Sequence, residues 1–150
     1  MDSKAYIEKR LLEAGWYPTR RGAATCAHSE EQRLMETTPA LAQALAIAAE
    51  YGGLEVGEVG AGREISASDI CFLTQVFNFT ADMELNWQGV VPPLYCFATA
   101  HHQHLCLLVD NAGDFYIFTD PDERLYKVES FDDLLRKVLL GIRYGDGLEI

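Results

Sequence analysis

Apolar residues recur along this chain with two different periods, and the densest of them lie at its centre. Leu105-Cys106-Leu107-Leu108-Val109 and Asp114-Phe115-Tyr116-Ile117-Phe118 are short apolar runs without polar alternation. Successive strand residues face opposite ways, so such runs imply strands covered on both faces. Asp110-Asn111-Ala112-Gly113 lies between them and holds the Asn, Asp and Gly that accept the positive φ of a tight turn. The pattern predicts a central β-hairpin, with the rest of the chain, much of it helical, supplying the cover.

The helical period appears on either side. In 3–14, Tyr6, Ile7, Leu11 and Ala14 share a face while Lys4, Glu8, Lys9 and Glu13 point away, with Ser3 as candidate N-cap and Gly15 as the stop. Ser29, followed by Glu30, Glu31 and Gln32, opens a short helix to about Glu36. Thr38-Pro39 opens a longer one, with Leu41, Ala44, Leu45, Ala48 and Tyr51 apolar and Gly52 at its end. Leu54-Glu55-Val56 and the residues around Arg63-Glu64-Ile65 read as two strands joined by a glycine-rich loop. Residues 68–79 fit neither period, and Asp69 could open a helix or an extended segment. Thr80 starts a further helix ended by Gly89, and Pro92-Pro93 leads into a strand over 94–98. His101-His102-Gln103-His104 turns the chain into the central hairpin. A short strand over 125–128 precedes the clearest helix, 130–140, where Ser130 and Asp133 form a capping box and Gly141 ends it. The tail to Ile150 is expected to fray.

Length and composition narrow the class. A chain of 150 residues with 49% apolar and 23% charged residues fits one globular domain spanning 1–150. No apolar run approaches the ~20 residues that cross a bilayer, and the charged start lacks a signal peptide's apolar centre, so the expected location is cytoplasmic and no membrane partner is expected. Cys26, Cys71, Cys96 and Cys106 are widely spaced and read as buried thiols, with a Cys96–Cys106 bridge as the alternative. The net charge of −11 argues against nucleic acid, whose phosphates need Lys and Arg, and permits a basic protein partner.

Candidate chemistry is sparse. His101, His102 and His104 are the best metal candidates, but no Cys or carboxylate stands at ligand spacing beside them, so a polar turn is the preferred reading. Residues 110–114 lack the ligand pattern of a calcium loop. Cys106, His104 and Asp110 are close in sequence, but strand alternation scatters them. Arg20-Arg21, the one strong cationic spot, reads as an ion-pairing site before a ligand site. No catalytic residue, cofactor or metal is assigned. The acidic clusters remain: Asp120, Asp122 and Glu123; Glu129, Asp132 and Asp133; Glu55 and Glu58; Asp82 and Glu84. They read as a solvated face or, with Trp87, Tyr95 and Tyr126 as aromatic anchors, as a docking surface for a basic partner. The partner-binding set is Asp120, Asp122, Glu123, Asp132, Asp133, Glu55, Glu58, Trp87 and Tyr126.

An ordered series of short motifs resembles the third group of the SUKH superfamily of bacterial immunity proteins. They are Ala14-Gly15-Trp16-Tyr17-Pro18 with Arg20 and Arg21; Glu50-Tyr51-Gly52-Gly53-Leu54; Leu108-Val109-Asp110 with Gly113 and Tyr116; and Leu139-Leu140-Gly141. The resemblance implies an α+β fold, with a central mixed, mostly antiparallel sheet flanked by helices. It also implies a non-enzymatic protein that neutralises a polymorphic toxin, often a nuclease or nucleic-acid deaminase. The alternatives are a small metal-binding protein or enzyme using the histidine cluster, and a regulatory adaptor of the same superfamily.

Overall fold

The computed structural model describes residues 3–26, 38–82, 91–120 and 122–148. The helix expected over 29–36, most of the one expected over 80–89, and with them Trp87 and Glu84, lie outside the described residues. Four helices are described: α1 (Ser3–Glu13), α2 (Pro39–Tyr51), the short α3 (Phe79–Asp82) and α4 (Phe131–Leu140). Seven strands are described: β1 (Thr25–Cys26), β2 (Glu55–Val56), β3 (Ile70–Asn78), β4 (Tyr95–Ala100), β5 (Leu105–Val109), β6 (Phe115–Thr119) and β7 (Arg124–Val128). They form one sheet in the order β1-β3-β4-β5-β6-β7, with β2 also on β3. Only the β1–β3 pairing is parallel, so the fold is α+β with a mixed, mostly antiparallel sheet.

The central hairpin stands where the apolar runs place it. Leu107 pairs with Ile117 and both are fully buried. Its two faces enter two cores. Leu105, Leu107, Val109, Phe115 and Ile117 face the large core under α1, α2 and α4, while Leu108, Tyr116 and Phe118 join Phe79, Leu94, Cys96 and Leu125 on the other side. Two-sided burial is the reason the runs show no alternation. In β4 the register shifts between Cys96 and Ala98, leaving Phe97 as an extra residue. That bulge puts Phe97 and Ala98 both in the large core.

Local chemistry sets the helix ends. Thr38 caps α2 by accepting from the Leu41 N–H at 3.2 Å, and the Asn111 side chain accepts from the Ala40 N–H at 2.9 Å. Ser130 caps α4 by accepting from Asp133 N–H at 3.0 Å, and Asp133 reaches back to Glu129 N–H at 3.1 Å. Leu134, Leu135, Val138 and Leu139 of α4 lie under 4% exposed, and burying each contributes about 1.5–3 kcal/mol.

Two expectations need correction, and one segment left open between helix and extended chain proves extended. Residues 63–65 are not a strand. The N–H groups of Arg63, Glu64 and Ile65 donate instead to the carbonyls of Leu140 and Gly141, closing the end of α4, and only an isolated Gly60–Ala67 bridge stands nearby. The partner of β2 is therefore β3, not that segment. Residues 70–78, legible as neither element, form the longest strand; its register against β4 shifts between Phe72 and Phe77, which breaks the regular alternation. The tail does not fray through 148: Leu148 N–H donates to Leu125 O at 2.8 Å and Tyr144 packs edge-on against Tyr126.

Candidate functional site

The acidic clusters occupy both ends of the edge strand β7. The β6–β7 turn carries Asp120, Asp122 and Glu123, all exposed. Glu129 and Asp132, also exposed, follow the opposite end, with about 20 Å of extended chain between Glu123 and Glu129. Glu55 on β2 and Glu58 after it are exposed near α1, and Arg10 reaches Glu58 at 3.3 Å. Asp122 has Arg124 at 3.8 Å. The predicted set is thus divided among separate patches.

Asp133 has a structural task. Its carboxylate is 8% exposed and is held by Arg136 at 2.8 Å and Lys137 at 2.9 Å as well as the Glu129 N–H. Burial alone would raise its pKa, but the Arg136 hydrogen bond, the backbone N–H and Lys137 together bring it below the usual carboxylate value. Tyr126 is half-buried against the large core, and Tyr95 is fully enclosed at 3% exposure.

The four histidine-turn residues sit beside the Asp120 end, where Asp120 N–H donates to His104 O at 2.9 Å and His101 N–H to Asp69 at 3.3 Å. His101, His102 and Gln103 all adopt positive φ, 51°, 56° and 70°, each costing about 1–2 kcal/mol for a side-chain-bearing residue. The His101 ring lies 5.8 Å from His102 and 6.3 Å from His104. Among the described residues no three His, Cys, Asp or Glu side chains converge to hold a metal. No disulfide joins the cysteines; Cys26 and Cys96 are buried and Cys71 and Cys106 half-buried. Cys96 and Cys106 lie side by side. Burial raises Cys96 strongly, and the hydrogen bond between the two thiols lowers Cys106, the more acidic of the pair.

The motifs quoted above prove to be mutual contacts. Trp16 donates its indole N–H to Glu50 at 2.9 Å and stacks near-parallel on Tyr51, 6.3 Å between ring centres. Arg20 forks onto the last carbonyls of α2, Glu50 O at 2.6 Å and Gly52 O at 3.0 Å, while Arg21 stands 3.9 Å from Glu50. Asp110, 2% exposed, accepts from Ala112 N–H and Asp114 N–H at 2.9 Å each and from the Tyr116 hydroxyl at 2.8 Å. That Asx turn holds the hairpin, with Gly113 at φ +84°.

Sequence reasoning missed a groove. It opens between α1 and the first turns of α4, has a volume of about 610 Å³, and is lined by Trp16 and Tyr51 beside the buried Ile7, Leu11 and Leu135. Carboxylates of Glu8, Glu129, Asp132 and Asp133 outnumber the cations Lys4 and Arg136 around it. The charge of Asp132 places it in the predicted partner-binding set, but nothing in the periodicity brings α1 beside α4.

These features define an α+β domain whose described helices all lack the length and apolarity to cross a membrane, and whose recurring motifs brace its own sheet and helix ends. The family model for SUKH-3 immunity protein matches residues 3–141, and the chain belongs to that family. No curated protein and no solved structure matches it. Family membership makes this an immunity protein with a toxin protein as its partner, and suggests a non-enzymatic role.

Proposed function

We propose that the protein binds and neutralises a cognate polymorphic toxin whose toxic domain is basic, a nuclease or nucleic-acid deaminase. The observation that carries this reading is the net charge of −11, with Asp120, Asp122, Glu123, Glu55, Glu58 and Asp132 all exposed. An enzyme that grips nucleic acid presents Lys and Arg to phosphate. An acidic protein competes for the same groove, and complementary charge raises the encounter rate toward about 10⁸–10⁹ per molar per second at low salt. The cytoplasm of the producing or neighbouring cell is the place for such an encounter, because a nucleic-acid-directed toxin acts there. No nucleic acid or membrane partner is needed.

Co-expression with the toxic domain encoded in the adjacent reading frame tests the proposal. Cells survive if it holds, and the purified pair dissociates as salt rises. Death of cells carrying both proteins, with no complex recovered at low salt, would refute it.

A further inference from the structure

The groove between α1 and α4 combines two properties. Its apolar lining includes two aromatic rings: Trp16 and Tyr51 lie 6.3 Å apart and within 9° of parallel, backed by Phe72 and Phe131 at 5.0 and 5.4 Å from Tyr51. Its rim is anionic. Glu8, Glu129 and Asp132 have no ion-pair partner among the described residues, whereas Arg136 is already engaged by Asp133. Glu50, outside the groove lining, accepts the Trp16 indole N–H at 2.9 Å, which fixes the ring, and stands 3.9 Å from Arg21. The field there is felt by Tyr51, whose hydroxyl is pushed up first by burial, then by Glu50 and Asp132.

We propose that this groove receives an arginine-bearing segment of the toxin, resting on the immunity reading above. A guanidinium is planar and weakly hydrated, stacks on Trp and Tyr faces, and forks onto carboxylates. Carboxylates beside aromatic lining therefore favour it over an aliphatic or anionic side chain. At about 610 Å³ the groove accommodates a long side chain and its flanking backbone. Anchors of this kind, an Arg against Trp and Tyr in a pocket screened from water, carry most of the energy in protein interfaces. The exposed acids at the β6–β7 turn then steer encounter, and the groove grips.

The test uses two probes on the full chain. The first is a capped tri-arginine peptide, followed at the Trp16 indole N–H resonance, with Trp87→Phe to assign it and a capped tri-glutamate peptide as control. The second is the toxic domain of the adjacent reading frame, followed by calorimetry. Glu129→Lys with Asp132→Lys reverses the groove rim, Glu8→Lys does so from α1, and Asp120→Lys with Glu123→Lys reverses the far end. Urea melts confirm that each variant is folded. The expected result is a saturable Trp16 shift with tri-arginine only. Both rim variants should weaken peptide and toxin by about tenfold or more, and the far-end pair should leave equilibrium affinity within about twofold.

A Trp16 resonance indifferent to tri-arginine, or toxin affinity lost only in the far-end pair, overturns the groove. Neutralisation retained in full by both rim variants overturns it too, and leaves the immunity reading standing. Peptide held in the groove by a protein that fails to neutralise the toxin overturns the immunity reading instead.

Discussion

Removing the Asp110 carboxylate should cost this protein a large part of its stability without touching its exterior. The side chain is 2% exposed and accepts three hydrogen bonds, two from turn amides and one from the Tyr116 hydroxyl. In Asp110→Ala the Tyr116 hydroxyl, itself in a side chain 5% exposed, loses its acceptor, which costs about 1–3 kcal/mol. The amides of Ala112 and Asp114 belong to partly exposed residues, and water replaces some of what they lose, so each adds about 0.5–1 kcal/mol. The sum is about 2–5 kcal/mol, out of the roughly 5–15 kcal/mol that holds a domain folded. At about 2–4 °C per kcal/mol for this chain length, Tm falls by roughly 10 °C.

Asp110→Asn separates the hydrogen bonds from the charge. Its amide oxygen still accepts from both turn N–H groups, and its NH₂ can donate to the Tyr116 oxygen, so the loss should be about 1 kcal/mol. Tyr116→Phe completes a double-mutant cycle, with a coupling of about 1–2 kcal/mol to Asp110. Urea unfolding, read by far-ultraviolet circular dichroism and by tryptophan emission, measures all five proteins: the parent, the three single variants and the Asp110→Ala, Tyr116→Phe double. An Asp110→Ala variant within about 1 kcal/mol of the parent would refute the reasoning, as would equal losses in Ala and Asn. Loss of toxin binding at unchanged stability would move Asp110 from the scaffold to the interface.

Asp133 predicts a pH dependence. Its folded pKa lies below the ordinary carboxylate value, so its contribution is complete above that ordinary value, near 4, and fades as pH falls through the folded pKa. The stability gap between the parent and Asp133→Asn should therefore be widest near neutrality and narrow below about pH 4; thermal melts across pH 3–7 measure it, and a gap that widens in acid would contradict the pairing. Gly141 ends α4 at φ +69°, and a Cβ there would collide with the Ile65 carbonyl oxygen. Gly141→Ala should cost about 2–4 kcal/mol from left-handed strain plus displacement of the 63–65 loop, read as a lower urea midpoint. An unchanged midpoint would mean that loop moves without cost.

Much of the architecture was legible in the chain itself. The central hairpin, the caps of α2 and α4 and the Gly141 stop follow from forces acting over a few residues: apolar runs, Ser or Thr before a helix, and a glycine at positive φ. The ordered motifs likewise resemble the SUKH-3 family without coordinates, and the family model that matches 3–141 bears the resemblance out. Those motifs work mainly as bracing, which their spacing does not disclose. Trp16 meets Glu50 and Tyr51 across more than thirty residues, and Arg20 closes the far end of another helix.

What needed the tertiary structure were the features set by contacts distant in sequence. Residues 70–78 are a strand because β1, β2 and β4 pair with them, and their shifted register hides the period. Residues 63–65 are not, because the open carbonyls of α4 take their N–H groups. Asp133 and Asp132 are adjacent acids with the same local signature, yet one is buried against Arg136 and Lys137 and the other is exposed on a groove. Charge is a property of a residue, but the potential it produces depends on which neighbours folding brings within a few ångströms, and those come from α1, α2 and α4 together.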